Sequence, residues 1–156
     1  MQTTGGERNA ESQVWQLMLG IHGDIFGRLN RTLTREFGIT LAKFDVLAQL
    51  YRVGDRLTQS DLSRQRKVTD GNITGLVHRL IAAGLISREV SASDRRAYAV
   101  QLTDQGRAVY RAARDRHDEL LATFFGSLGP TRLTEVRSVL GQLSHALAQA
   151  PARASE

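Results

Sequence analysis

The sequence predicts a mainly α-helical chain interrupted by one small β-hairpin, and three observations lead there. Apolar residues recur at three- and four-residue spacing over most of the 156 residues. Strict alternation appears only between Leu85 and Leu102, and glycines at 38, 54, 84 and 129 punctuate the helical segments. The length suits one domain with a sizeable core.

The elements follow in order. Residues 1–11 are largely polar, with paired Thr and Gly, and read as a disordered N-terminus. Val14, Met18, Ile21, Ile25, Leu29 and Leu33 then form one helical stripe that ends at Phe37, with Gly38 as its C-cap. Trp15, Leu17 and Phe26 widen that stripe beyond one face, so this helix is expected to pack against something besides its own domain. Thr40 opens a second helix carrying Leu41, Phe44, Leu47 and Leu50, closed near Gly54.

Thr58 with Asp61 three residues on forms an acidic variant of a capping box for a short helix running toward Arg66. A fourth helix starts at the cap signal Thr69-Asp70 and ends at Gly84, with Ile73, Leu76, Val77 and Leu80 on one side. The alternating segments 85–89 and 97–102, separated by polar residues 91–96, predict the hairpin. Thr103 caps a long helix holding Val109, Ala112, Leu120, Leu121, Phe124 and Phe125, which Gly129-Pro130 is expected to terminate. Leu133, Val136, Leu140, Leu143 and Leu147 make a coiled-coil-like seam on the last helix, and 151–156 reads as a disordered tail.

Charge narrows the partners. The net charge is +5, and between Arg56 and Arg107 nine basic residues face five acidic ones, so the excess is concentrated in the middle of the chain. Almost all of it is arginine, whose planar fork suits phosphate and guanine. Two consecutive helices joined by a few residues around Lys67-Val68-Thr69 form a helix-turn-helix arrangement, whose second helix would enter a major groove. The expected outward face of that helix holds Asp70, Gly71, Asn72, Thr74, Gly75 and His78.

Each has a chemical reading. Two glycines cost roughly 1 kcal/mol each within a helix, which makes sense where a backbone must approach another surface closely. Asn72 offers a bidentate contact to adenine, and Thr74 a contact to a thymine methyl or a phosphate. Asp70 either caps the helix or accepts from a cytosine amino group, and His78 reaches a phosphate or is simply solvated. Arg95 and Arg96 stand at the hairpin tip, where guanidinium groups are drawn to the narrow minor groove. Arg64, Arg66, Lys67, Arg79 and Arg88, with Thr69 at the turn, surround the same unit and can clamp flanking phosphates.

The stretch 94–106, DRRAYAVQLTDQG, resembles the wing pattern D-x-R-x-x-x-V-x-L-T-x-x-G of MarR regulators, and VTDGNITGLVHRLIAAGLISR is similar to the recognition helix of that family. The resemblance implies a winged helix-turn-helix fold in which N- and C-terminal helices of two subunits interlock as a dimerisation region. It further implies that Arg96 contacts the minor groove and that Asp94 braces the wing by pairing with an arginine. The family commonly carries Asp where this chain has His78. The string GNITGLVHRL also resembles regulators of aromatic-acid catabolism.

The implied organisation is a dimerisation helix at 12–37, a winged helix-turn-helix module at 38–103 and C-terminal dimerisation helices at 104–150. Expected partners are double-stranded DNA, a second copy of the chain and a small-molecule effector, with an aromatic acid or its coenzyme A thioester as the class. Trp15, His22, Phe26, Arg28 and Phe44 bring aromatic surface and charge to the first two helices and are the candidate ligand residues, beside ordinary core and surface roles for each.

Other classes fare less well. Without cysteine there are no disulfides, Cys-ligated zinc or thiol redox chemistry. No cofactor is expected. The four histidines are scattered and no HExxH motif or phosphate-binding loop occurs, so an enzyme is not expected and no metal site is assigned. A metal-responsive regulator of the same family, through His117 with Asp118 or Glu119, is an alternative, as is an architectural protein that coats DNA without reading sequence. No apolar run reaches the roughly 20 residues that cross a bilayer, and a cytoplasmic location is expected.

Overall fold

The computed structural model describes residues 4–54, 57–58, 73–90 and 98–149. Five helices and three strands are among them: α1 (Thr4–Phe37), α2 (Leu41–Val53), β1 (Leu57–Thr58), α3 (Ile73–Ala82), β2 (Ile86–Val90), β3 (Tyr98–Leu102), α4 (Asp104–Phe125) and α5 (Gly129–Gln149), with a 3-10 turn at Gly126–Leu128. They fall into two compact units, Met1–Asp118 and Glu119–Glu156, whose boundary lies inside α4.

In the first unit α2 is the hub, packing against α1, α3 and β3. Its apolar residues Leu41, Phe44, Val46, Leu47 and Leu50 are buried, and they meet Leu29 and Leu33 of α1 within the same core. The junction between the two helices is set by polar groups. Gly38, at φ +68, donates its N–H to the Thr34 carbonyl at 3.0 Å and ends α1 in a left-handed cap. Thr40 Oγ1 accepts from the Lys43 N–H at 3.3 Å, and Asn30 Oδ1 accepts from the Leu41 N–H at 2.9 Å, so two otherwise stranded donors of α2 are satisfied. Gly54, at φ +82, closes the helix.

The sheet is antiparallel with order β1-β3-β2. Ile86 pairs with Leu102 and Val90 with Tyr98, while Leu57 and Thr58 pair with Val100 and Ala99. Ile86, Val100 and Leu102 put their side chains into the core. On the outer face Gln101 Nε2 donates to Glu89 Oε1 at 2.8 Å.

Three expectations are corrected, and one burial pattern is added. Residues 4–11, expected as part of a disordered N-terminus, are helical: α1 starts at Thr4, because the polar run after Gly6 contains good helix formers onto which an established helix propagates. Strand β1, which the sequence did not announce, makes the hairpin a three-stranded sheet. Gly129-Pro130 opens α5 rather than closing α4, which stops at Phe125; proline suits a first helical turn, where its missing N–H has no intrahelical partner to lose. Finally, the buried edge of α4 runs through Gly106, Tyr110 and Ala113, and Ala112 is exposed, because the helix turns Tyr110 toward Phe44 of α2.

In the second unit α5 packs on the 3-10 turn and has no buried residue. Val136, Val139, Leu140, Leu143 and Leu147 are all exposed, Leu147 by 67%. The first half of α1 shows the same property: Val14, Trp15, Leu17, Met18, Leu19 and Ile21 are exposed, Trp15 by 58%.

Candidate nucleic-acid interface

The helix-turn-helix reading requires a second helix held by one face and bare on the other. In α3 the apolar stripe Leu76, Val77 and Leu80 is buried against α2 and β2. At 100° per residue this turns Thr74 and His78 outward, and both are exposed, as is Arg79 beside them; Gly75 is half-buried on the same side. Thr74, His78 and Arg79 thus stand on the side of α3 away from its buried stripe, with Gly75 half-buried among them. The remaining residues assigned to DNA contact, Arg64, Arg66, Lys67, Thr69, Asp70, Gly71, Asn72, Arg95 and Arg96, together with Asp94, lie outside the described residues.

The exit from α3 fixes the hairpin relative to the helix. Gly84 adopts φ +71, its N–H reaches the Ile81 carbonyl at 2.9 Å, and the Leu85 N–H reaches the Leu80 carbonyl at 3.0 Å. This is a Schellman ending, and it reverses the chain directly into β2. Thr103 then closes the far side. Its hydroxyl donates to the Gly84 carbonyl at 2.7 Å and accepts from the Gly106 N–H at 2.9 Å, while its own N–H bonds the Leu85 carbonyl at 3.1 Å. Gly106 is buried against that same carbonyl so closely that a Cβ there would overlap the Leu85 oxygen. The Thr-x-x-Gly spacing of the wing pattern is therefore a geometric requirement: the threonine caps α4 and ties it to the α3 exit, and the glycine lets the two backbones touch.

The residues expected for a ligand lie on α1 and α2 in different surroundings. Trp15 stands on the exposed half of α1, Arg28 is exposed, and His22 pairs with Phe26 at 5.9 Å between ring centroids. Phe44 is buried elsewhere, stacked on His117 at 5.0 Å and tilted against Tyr110 at 5.5 Å. His117 Nδ1 lies 3.0 Å from Asp118 Oδ1.

A cavity that the sequence reading missed opens beside this ring cluster. It has a volume of about 570 Å³ and is lined by Asp45, Ala48, Gln49, Tyr51 and Arg52 of α2 and by Tyr110 of α4. Tyr51 and Tyr110 are 4.7 Å apart between ring centroids. Burial pushes the Asp45 carboxyl up to about 6, partly offset by the nearby His117, and burial likewise raises the Tyr110 phenol. The one available signal was Asp45 itself, an acid between the apolar positions Phe44 and Val46. On the opposite flank, Arg116 Nε binds Glu36 Oε2 at 3.0 Å and joins α4 to the end of α1; hydrogen bonds from Arg35 and Arg116 hold the Glu36 carboxyl below its usual range.

Among the described residues no cluster of three potential metal ligands occurs, and no helix is long and apolar enough to cross a membrane.

Comparisons with known proteins agree with this geometry. The sequence profile of the MarR family matches residues 37–97, the span from the end of α1 to the hairpin. The transcriptional repressor YetL of Bacillus subtilis is 31% identical over 104 residues, which is 64% of this chain and 62% of the relative, so the aligned stretch spans under two thirds of that protein. The crystal structure of the Staphylococcus aureus MepR–DNA complex, at 24% identity and a TM-score of 0.75 over 86% of this chain and 97% of that one, shares the fold. A MarR family transcriptional regulator from Silicibacter pomeroyi superimposes with a TM-score of 0.79 at 34% identity, covering 93% of this chain and 99% of that one. On that near full-length match, the chain belongs to the MarR family of winged helix-turn-helix transcriptional regulators.

Proposed function

We propose that this regulator is a homodimeric repressor that reads an inverted-repeat operator and is released from it by a small-molecule effector. The observation that carries the reading is the two-sidedness of α3, anchored through Leu76, Val77 and Leu80 with Thr74 and His78 outward. In this reading Asp70, Gly71, Asn72, Thr74, Gly75 and His78 face the major groove, Arg95 and Arg96 the minor groove, and Asp94 braces the wing. Arg64, Arg66, Lys67, Thr69 and Arg79 hold the flanking backbone.

The exposed apolar faces of α1 and α5 support dimerisation, since a chain leaving so many large side chains in water has a surface for a partner. Segments 12–37 and 104–150 are then the dimerisation region and 38–103 the reading module. Two copies would place half-sites about 10 or 20 base pairs apart. That YetL is a repressor supports repression here. Release requires an effector that prefers a dimer whose two reading helices no longer match that spacing. An aromatic acid or its coenzyme A thioester is the proposed class, and the cytoplasm the place of action.

Competition binding tests this. The dimer should prefer its operator over bulk duplex by about a thousandfold or more. Arg96→Ala should weaken binding with the dimer intact, and Asn72→Ala should relax base choice at one position per half-site. Equal affinity for every duplex would replace the reading with that of an architectural protein, and release by a divalent cation alone with that of a metal-responsive regulator.

A further inference from the structure

The four histidines of the chain are not equally engaged. On α1, His22 packs against Phe26 at 5.9 Å between ring centroids. On α4, His117 stacks on Phe44 and its Nδ1 lies 3.0 Å from Asp118 Oδ1, and on α5 the His145 Nε2 lies 2.8 Å from Gln149 Nε2. His78 alone makes no hydrogen bond, ion pair or ring contact among the described residues, and it stands exposed on the outward face of α3. Arg79 beside it is exposed and likewise makes no ion pair among the described residues, so that face carries one permanent cation and one that depends on pH. The helix packs on α2 and β2 through its opposite side. Their charged groups are Lys43, Asp45 and Arg52 on α2 and Arg88 and Glu89 on β2; Asp45 and Arg52 line the cavity toward α4, Glu89 accepts from Gln101, and none is bonded to His78.

We propose that His78 is a proton-linked phosphate contact: as an imidazolium it binds a backbone phosphate at the edge of the groove that α3 enters, so affinity for the operator rises as the pH falls through the neutral range. Imidazole is the side chain whose charge changes between about pH 5 and pH 8. Residues at the start of a reading helix meet base edges. His78 lies one turn beyond Thr74, about 6 Å farther along the axis, where the same face comes level with the backbone instead of the bases. A phosphate oxygen beside the ring favours its charged form. No carboxylate already holds this ring, as Asp118 holds His117, so the whole of that preference is available to DNA. The proton is taken up on binding, and the sign follows: the contact is present at acid pH and lost as the pH rises. Arg79 behaves differently, because its guanidinium is charged throughout that range and its contribution does not vary.

This names a control on the same site as the regulator reading proposed above and rests on that reading. The probe is a duplex of about 40 base pairs selected from a random pool by the full chain, with the unselected pool as comparison. Fluorescence anisotropy reads affinity at several salt concentrations. From about pH 8 to about pH 6 the affinity of the dimer should rise about tenfold or more. Over the same interval the slope of log affinity against log salt should steepen by up to about 1.8, which is about 0.9 for each of two imidazolium–phosphate contacts. His78→Gln should abolish both changes, and His78→Lys should carry the acid-pH affinity and salt slope up to about pH 8. Arg79→Gln should weaken binding by the same factor at both ends of the range. Each variant is first shown to melt as the parent does, and Asp45, which titrates near pH 6, is present in all of them, so differences between profiles belong to the substituted residue. A parent affinity that does not change with pH, an equal change in His78→Gln, or a pH dependence with an unaltered salt slope would overturn the inference, the last by placing the ring on a base edge. With a preferred sequence in hand, each of those results leaves the regulator reading standing. A pool that yields no preferred sequence refutes that reading instead, and the same measurements on the unselected duplex then decide the histidine linkage.

Discussion

Where α3 runs into the sheet, the chain finishes its own business. Gly84, Leu85, Thr103 and Gly106 exchange hydrogen bonds among themselves and with the last turn of α3, and a glycine is spent on letting two backbones touch. The first half of α1 and all of α5 do the opposite, leaving eleven large apolar side chains in water. The difference separates two kinds of information in one chain: the junction of α3 with the sheet is determined by contacts within the chain, whereas in the proposed dimer the flanking helices would be one side of a contact.

The largest effect should come from charging the open side. Leu140→Glu combined with Leu143→Glu should weaken dimerisation by about 4 kcal/mol, roughly a thousandfold, while each subunit keeps its helical content, because neither residue is buried within the chain. Light scattering against concentration and circular dichroism read the two halves of that statement; an unchanged dimer would move the interface elsewhere. The closed side should respond in the opposite sense. Gly106→Ala should lower unfolding free energy by about 3 kcal/mol in urea, since the new methyl group meets a backbone carbonyl that cannot yield without breaking the Thr103 tie.

Asp45→Asn should give a smaller, pH-dependent gain. A carboxyl raised from 3.8 to about 6 in the folded state supports stability below about pH 4 and loses that support as the pH rises toward 6. The neutral side chain escapes the loss. With the full linkage value discounted for partial exposure, the variant should be more stable than the parent by about 1 to 2 kcal/mol at neutral pH and equal to it near pH 4. His117, Tyr51, Tyr110 and Arg52 surround the group and are present in both proteins, so the difference between their pH profiles isolates Asp45. The smallest effect is expected at Thr40→Ala, about 1 kcal/mol, from the lost cap of α2.

Legibility in the sequence followed the range of the interactions. The stripe Ile73, Leu76, Val77 and Leu80 declared both the helix and its inner face, and glycines 38, 54 and 84 marked helix ends because each takes a left-handed conformation that other residues resist. Thr103 and Gly106 were visible as a motif, although their reason, a carbonyl eighteen to twenty-one residues away in Leu85, was not. Strand β1 is two residues long and exists through pairing with Val100 and Ala99, so no local alternation announces it. Ala112 and Ala113 look alike in sequence, and only the approach of Phe44 decides which is buried. The cavity escaped notice for a similar reason. Nothing local to Asp45, Arg52 or Tyr110 marks them in the sequence, and they line one wall only where α2 and α4 come together.

The backbone contact at Gly106 has a mechanical consequence. Tyr110 stands one helical turn farther along α4, so a displacement felt by its ring travels through a single rigid turn to the point where that helix grips the root of β2. With no side chain between the two backbones to absorb slack, a tilt of α4 at Gly106 would be passed directly to Leu85, the residue that leads into β2.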